Sequence, residues 1–149
     1  MDEEDVKILA AVQEGLAIIE RPFQALGRTL GMSETDVLLR LARMQEEGLV
    51  RRIGPILDLK RLGLSGVLVA LKVPAGEADE AALVVNGYPE VSHNYLRPNQ
   101  SGYNLWFTVS ARDDRIKEIL ADVRARTGLE QLVLPTVKIF KIGVKFDII

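Results

Sequence analysis

The sequence predicts an α+β protein, in which an N-terminal winged helix-turn-helix is followed by a ferredoxin-like βαββαβ domain. Three short helical patterns followed by strand–turn–strand residues predict the first domain, over residues 1–60. Alternating strand-like and helix-like segments predict the second domain, over residues 61–149. A chain of 149 residues has room for two small domains of this kind.

The first domain rests on three helical segments. Asp5–Glu14 carries apolar residues near helical spacing and is followed by Gly15. Pro22 is suited to the first position of a second helix, which ends before Gly31. Ser33, with an acidic residue three positions later, resembles a capping box that opens a third helix to about residue 47.

The wing and the charge of this domain bear on DNA binding. Leu49–Ile53 and Ile56–Leu57 flank Gly54-Pro55, which predicts a β-hairpin. Residues 1–60 contain eight Lys and Arg against eleven Asp and Glu, a net charge of −3. Proteins that bind DNA usually present a basic surface, and this third helix begins with carboxylates. The charge therefore argues against DNA binding.

The second domain follows from an alternation of elements after a connection at residues 59–63. Strands are predicted at 67–73, 91–97, 103–111 and 132–146, the last interrupted by Pro135, and helices at 77–86 and 113–126. Helices on one side of so small a sheet leave its other face to be buried by a second copy or a partner.

Composition excludes several classes of function. With no cysteine and one histidine, the chain cannot form disulfides, thiolate metal sites or a multi-histidine metal site of its own. No apolar run approaches the roughly 18–20 residues of a membrane span. The acidic N-terminal sequence resembles neither a secretory signal nor a transit peptide. We therefore expect a cytoplasmic protein with no membrane partner.

The strand at 91–97 is the most informative part of the chain. Strict alternation places Val91, His93, Tyr95 and Arg97 on one face, and Ser92, Asn94 and Leu96 on the other. The first face then offers a proton donor near neutral pH, a hydroxyl and a fixed cation, spaced about 7 Å apart. The alternative is that these side chains satisfy one another at an interface edge.

Further candidates lie in neighbouring strands. By the same alternation Asn104, Trp106 and Thr108 share one face, and Tyr103, Leu105 and Phe107 share the other. Arg51 and Arg52 lie in the predicted wing, where they suit either DNA phosphate or a multiply anionic small molecule. Lys138, Lys141 and Lys145 add positive charge to the last strand, although lysines of an edge strand usually serve solubility.

Several segments together resemble the siroheme decarboxylase family, whose members share the two-domain layout of the Lrp/AsnC regulators. They are Val91-Ser-His-Asn-Tyr-Leu-Arg97, Tyr103-Asn-Leu-Trp-Phe-Thr108, Leu134-Pro-Thr136 with Phe140-Lys141, and Gly48-Leu-Val-Arg-Arg-Ile-Gly54. The resemblance covers nearly the whole chain. It implies that the protein removes the carboxyl groups of two acetate side chains of siroheme, giving didecarboxysiroheme in siroheme-dependent heme or heme d1 biosynthesis.

The resemblance also suggests roles for the candidate residues. His93 would deliver a proton with Tyr95 orienting or relaying it, or else His93 would be an axial ligand of the siroheme iron. Cations for the substrate carboxylates would be Arg51, Arg52, Arg97 and Lys141, and Tyr103, Asn104 and Trp106 would complete the substrate site. No cofactor beyond the substrate siroheme is expected, and heme is a candidate regulatory ligand.

One departure from the family pattern concerns the partner. Some subunits have a second histidine near the end of the strand that follows the Tyr-Asn pair, where this chain has Ser110. A paralogous subunit would then supply the missing part of the site, which favours an obligate heterodimer. Two alternatives are a DNA-binding regulator of the Lrp/AsnC type and a non-catalytic companion that completes its partner's pocket.

Overall fold

The computed structural model describes residues 1–141, 143 and 145–148, which form two compact units. The first unit is Met1–Ile56 together with the described residues from Lys141 onward. The second is Leu57–Phe140. Within the described residues, no helix has the length and apolar character needed to cross a membrane.

Three helices build the first unit, as predicted: α1 (Glu3–Glu14), α2 (Pro22–Leu30) and α3 (Glu34–Glu46). Helix α1 begins with a reciprocal cap, in which the side chains of Asp2 and Asp5 each accept the backbone N–H of the other. The Ser33 hydroxyl caps α3. A small apolar core is contributed by Ile8, Val37, Leu41 and Met44.

The predicted strands of the wing do not form. Residues 49–57 are all described and contain no strand. Val50 packs against the helical core, while Arg51 and Arg52 are exposed. An isolated two-stranded hairpin is marginally stable, and Pro55 lacks the N–H that a ladder would use. The helix-turn-helix prediction is confirmed, and the prediction of strands in its wing is wrong.

The second unit is a ferredoxin-like sheet with two helices, as predicted. Its elements are β1 (Ser65–Leu71), α4 (Ala78–Asn86), β2 (Val91–Leu96), β3 (Leu105–Ala111), α5 (Asp113–Thr127) and β4 (Gln131–Pro135). The strands pair antiparallel in the order β2-β3-β1-β4, and a short 3-10 turn at Lys60–Leu62 precedes β1.

One face of this sheet is covered and the other is open. Core residues of β1 and β3, among them Val69 and Phe107, pack with Val85 of α4 and Ile119 of α5. The opposite side, which we call the open face, is defined by two rows of side chains that cross β2, β3, β1 and β4 in turn. They are His93, Thr108, Leu68 and Leu134, and next to them Tyr95, Trp106, Ala70 and Leu132.

The end of the chain differs from the prediction. Strand β4 ends at Pro135, and no described residue after it is in a strand. Ile142 and Val144 of the predicted strand lie outside the described residues. The side-chain amide of Gln13 exchanges two hydrogen bonds with the backbone of Phe146, and Lys145 pairs with Glu14. These contacts place the tail with the helical unit, whereas the predicted second domain ran to residue 149.

Candidate active site on the open face of the sheet

A β-bulge in β2 changes which side chains reach the open face. Val91 pairs with Val109 and His93 pairs with Thr108, so Ser92 is an extra residue without its own partner. Val91 packs against the helix-covered core, and the Ser92 side chain turns toward His93. The predicted faces of Val91 and Ser92 are therefore wrong, because strict alternation does not hold through a bulge.

Beyond the bulge, His93, Tyr95 and Arg97 lie next to one another in a row, while their role in a site stays a prediction. The ring centroids of His93 and Tyr95 are 6.0 Å apart, with a 35° angle between the ring planes. The Arg97 guanidinium carbon lies 4.9 Å from the centroid of the Tyr95 ring, within the range of a cation–π contact. Arg97 follows the last residue of β2, and its backbone N–H donates to the Asn104 carbonyl at 2.6 Å.

This row is accessible and keeps one positive charge available. His93 and Arg97 are exposed, and Tyr95 is 44% exposed. Other residues form the ion pairs of the second unit: Lys72–Glu130, Arg115 with Glu90 and Glu118, Arg126–Asp122 and Arg61–Asp58. In the described part of the chain, Arg97 joins no carboxylate. Its guanidinium can therefore bind an external carboxylate in a charge-assisted hydrogen bond.

Two hydroxyls hold one side of the His93 ring. Nδ1 of His93 lies 2.9 Å from Oγ of Ser92 and 3.4 Å from Oγ1 of Thr108, and the two hydroxyl oxygens are 2.8 Å apart. The sequence did not reveal this contact, since nothing in the residues around Ser92 indicates the bulge.

Apolar side chains continue the open face beyond this polar edge. Leu68 and Leu134 are 37% and 40% exposed. Trp106 lies directly across from Tyr95, and its indole N–H donates to the Tyr103 carbonyl at 3.1 Å. Trp106 therefore lies beside Tyr95 on this face, and its part in substrate binding stays a prediction. The face therefore combines a hydrogen-bonding edge with an apolar surface.

Tyr103 and Asn104, the other two predicted substrate contacts in this region, are engaged within the protein. The Asn104 amide accepts from the Val73 N–H at 2.9 Å and donates to the Val73 carbonyl at 2.8 Å. The Tyr103 hydroxyl donates to Glu130 at 2.7 Å, and this hydrogen bond raises the pKa of the Tyr103 phenol. Lys72 lies over the same ring, 4.8 Å from its centroid.

The remaining predicted cations belong to the first unit. Arg51 and Arg52 are exposed and follow the helical core, and the exposed Lys141 begins the tail. Their part in substrate binding stays a prediction.

The helix that would read DNA uses its two arginines within the protein. Asp5 is fully buried, and its carboxylate accepts from Arg40 at 2.8 Å and from Arg43 at 2.5 Å. Arg40 also bonds to both carboxylate oxygens of Asp2. Burial raises the pKa of Asp5, but the hydrogen bonds from the Asp2 backbone, Arg40 and Arg43 outweigh it and lower the pKa to about 2.

The two units match known families over most of their length. Residues 61–141 match the family model described as the AsnC-like ligand binding domain. Residues 5–51 match the model described as the siroheme decarboxylase NirDL-like HTH domain. The chain thus belongs to the class of proteins that join a helix-turn-helix domain to an AsnC-like ligand binding domain.

Individual relatives narrow this class to one family. The chain is 39% identical over 143 residues to the siroheme decarboxylase NirD subunit of Stutzerimonas stutzeri, covering 95% of this chain and 92% of that one. It is 41% identical over 150 residues to the NirDL subunit of Paracoccus denitrificans, of which it covers 45%. The chain belongs to the family of siroheme decarboxylase subunits.

A solved structure agrees with this assignment. It is the siroheme decarboxylase NirDL in co-complex with an iron-uroporphyrin III analogue, which matches with a TM-score of 0.70 at 31% identity. The match covers 97% of this chain and 48% of that one.

Proposed function

We propose that this chain is a subunit of a siroheme decarboxylase, a carboxy-lyase that removes two acetate carboxyl groups from siroheme. The product is didecarboxysiroheme, in siroheme-dependent heme or heme d1 biosynthesis. Membership in the family supports the activity. The observation that carries the proposal is the open face, where His93, Tyr95 and Arg97 border an apolar surface.

The open face suits a flat macrocycle with carboxylates around its rim. The apolar part of the face, with Leu68, Leu134 and Trp106, can pack against the ring system. Arg97 can bind a rim carboxylate, and Arg51, Arg52 and Lys141 are proposed as further cations for the others. Trp106 is a further proposed substrate contact, and Tyr103 and Asn104 are proposed to support substrate binding chiefly by holding the strand that carries Trp106.

The chemistry needs a cation and a proton donor, both of which this row supplies. When the bond between the methylene and carboxyl carbons breaks, carbon dioxide leaves and the electron pair passes into the conjugated macrocycle. One proton must then reach the methylene carbon to form a methyl group. His93 is proposed as its donor, with Tyr95 orienting the ring or relaying the proton. The reaction is redox-neutral, so we propose no cofactor beyond the substrate. Heme is a macrocycle related to siroheme, and we propose it as a regulatory ligand of the same face.

A paralogous subunit is the proposed partner. The open face is half polar and half apolar and needs a cover to exclude water from the reaction. The Paracoccus denitrificans relative has more than twice the matched length, which leaves room for a second such chain. Ser110, in place of a second histidine, is consistent with a site completed by the other subunit.

The regulator alternative is not favoured. Residues 1–60 carry a net charge of −3, and the arginines of α3 are paired with carboxylates of α1. Binding to DNA phosphates would require breaking these pairs. We therefore propose that the helix-turn-helix does not bind DNA here. We also propose that the protein acts in the cytoplasm, since its acidic N-terminal sequence resembles no targeting signal.

Turnover with matched variants tests the proposal. The chain, its paralogous partner and siroheme are mixed anaerobically, and the products are identified by mass. Arg97→Ala should weaken substrate binding about ten- to hundredfold, since a charge-assisted hydrogen bond contributes about 1.5–3 kcal/mol. His93→Ala should lower kcat by about two to four orders of magnitude. Lys117→Ala, which removes an exposed cation of α5, should change neither.

Turnover that survives both His93→Ala and Arg97→Ala would reduce this subunit to a scaffold for its partner. No didecarboxylated product from the wild-type pair would overturn the activity itself.

A further inference from the structure

We infer that Ser92 and Thr108 are positioning residues that hold the neutral His93 ring in the tautomer with its proton on Nε2. In this tautomer the ring presents an N–H donor, not a lone pair, to a ligand on the open face. The significance of this tautomer for catalysis rests on the proposed function, but the tautomer itself is a property of this chain.

A count of donors and acceptors leads to this tautomer. The network contains two hydroxyl protons and two short contacts, Thr108 to Ser92 at 2.8 Å and Ser92 to His93 Nδ1 at 2.9 Å. If Thr108 donates to Ser92 and Ser92 donates to Nδ1, both protons are used and Nδ1 is an acceptor. The neutral ring must then carry its proton on Nε2.

The opposite tautomer leaves one donor without a partner. With the proton on Nδ1, the ring donates to Ser92 and Ser92 donates to Thr108. Among the residues that the structure describes, the Thr108 proton then has no acceptor. Thr108 is half-buried, so this unmet donor has a cost. The satisfied arrangement is therefore favoured.

The β-bulge makes this network possible. Without the extra residue, Ser92 would alternate with His93 and face the helices. The bulge turns its hydroxyl onto the open face, between the imidazole and the cross-strand Thr108. Bulges that redirect a side chain are common next to active sites.

Hydroxyls at this position favour a proton donor over an iron ligand. A carbonyl or carboxylate beside Nδ1 would keep the proton there and leave the Nε2 lone pair free for a metal. A hydroxyl can donate to the neutral ring and accept from the imidazolium, so it holds the ring in both states. When the imidazolium gives its Nε2 proton to the methylene carbon, the ring is left in the Nδ1–H form, in which the Thr108 proton has no acceptor among the described residues, so the network favours return of a proton to Nε2. One proton taken up from solvent at Nε2 restores the imidazolium for the second decarboxylation.

The single histidine of the chain allows a direct test. In protein labelled with ¹⁵N-histidine, a long-range ¹H–¹⁵N spectrum at alkaline pH, where imidazole is neutral, contains one pair of ring nitrogens. We expect a protonated Nε2 and an Nδ1 with the chemical shift of an acceptor. Ser92→Ala and Thr108→Val should give a mixture of tautomers, whereas Ser92→Thr should keep the wild-type spectrum. Ser110→Ala, which removes a neighbouring hydroxyl of β3, is the matched control and should change nothing.

A wild-type ring protonated on Nδ1 would overturn the inference, as would a Ser92→Ala spectrum identical to wild type. Circular dichroism and Trp106 fluorescence check that each variant is folded.

Kinetics of the reconstituted pair separate this inference from the proposed function. Ser92→Ala should lower kcat about tenfold with KM unchanged, and Ser92→Thr should restore it. An unchanged kcat would overturn the positioning role. If the pair has no decarboxylase activity while the spectrum shows Nε2–H, the proposed function fails and the tautomer stands.

Discussion

At the scale of single residues, Arg97 and Asn104 pair across the β2–β3 connection, but their side chains differ in whether they are free to bind a ligand. They share a backbone hydrogen bond, yet Arg97 is exposed and free of carboxylates in the described part of the chain, whereas both polar atoms of the Asn104 amide are bonded to Val73. A residue predicted to contact substrate can therefore act by holding the strand that carries the site.

Asn104→Ala should lower the free energy of unfolding of the second unit by about 1–3 kcal/mol, because it leaves a partly buried N–H and carbonyl of Val73 without partners. Asn104→Asp keeps the acceptor for the N–H but places a charged oxygen against the Val73 carbonyl, so its effect should be at least as large as that of alanine. Urea unfolding followed by the fluorescence of Trp106 measures both. A stability unchanged in Asn104→Ala, with weaker substrate binding, would return Asn104 to a direct substrate contact.

The sequence predicted which side chains of β2 lie in one row, but not the hydroxyls that hold the His93 ring. His93, Tyr95 and Arg97 could be predicted to share a face, because alternation holds from His93 onward. The position of Ser92 on the same face could not be predicted, since a bulge depends on pairing across strands and leaves no local residue pattern.

At the scale of elements, a buried carboxylate links helix α1 to helix α3. Asp5 lies at the first turn of α1, where it both caps the helix and binds Arg40 and Arg43 of α3. A buried carboxylate between two arginines is stable only while all partners are present.

Asp5→Asn should therefore destabilise the helical unit by about 3 kcal/mol at neutral pH, as expected when one member of a buried ion pair is removed. Urea unfolding followed by helical circular dichroism measures this change. Glu3→Gln is the matched control: it removes a carboxylate of the same helix turn that is 81% exposed and paired with Lys7, so its effect should stay within about 0.5 kcal/mol. Equal effects of the two substitutions would contradict the role of Asp5.

The same carboxylate predicts a pH dependence. The pKa of Asp5 is about 2 in the folded protein and near its ordinary 3.8 when unfolded, so the unfolded state takes up the proton first as the pH falls. The stability that it contributes is present above about pH 4 and is lost between about pH 4 and 2. In Asp5→Asn, this acid-induced loss should be smaller by about 2 kcal/mol. Thermal unfolding across that pH range measures the loss of stability. If Asp5→Asn loses as much stability as the wild type, the assignment is refuted.

Elements were predictable where the signal is local. Pro22 and the glycines that follow α1 and α2 mark helix ends, and those helices begin or end there. The wing and the tail have strand-like sequences but no strands in the described residues. A strand needs a partner for its backbone, and the pattern of one segment does not show whether a partner is present.

At the scale of the whole molecule, the sheet separates two kinds of surface. Helices α4 and α5 cover one side with a continuous apolar core. The open face keeps Leu68, Tyr95 and Leu134 more than a third exposed, beside the row that carries the proposed chemistry. A partner that covers this face would bury apolar surface and enclose the row in one step.

Leu68→Glu should therefore disrupt assembly with the paralogous subunit. Leu68 lies at the centre of the open face, between Thr108 and Leu134, so a glutamate would be buried in the proposed interface without a partner. Such a buried charge should weaken the complex at least about a hundredfold in Kd, measured by native mass spectrometry or by size exclusion at decreasing concentration. The control is Leu83→Glu on α4, where the side chain is 73% exposed on the helical side of the sheet and should leave Kd unchanged. Wild-type assembly of Leu68→Glu, or dissociation of Leu83→Glu, would place the interface away from the open face, and the partner would then have no part in enclosing His93.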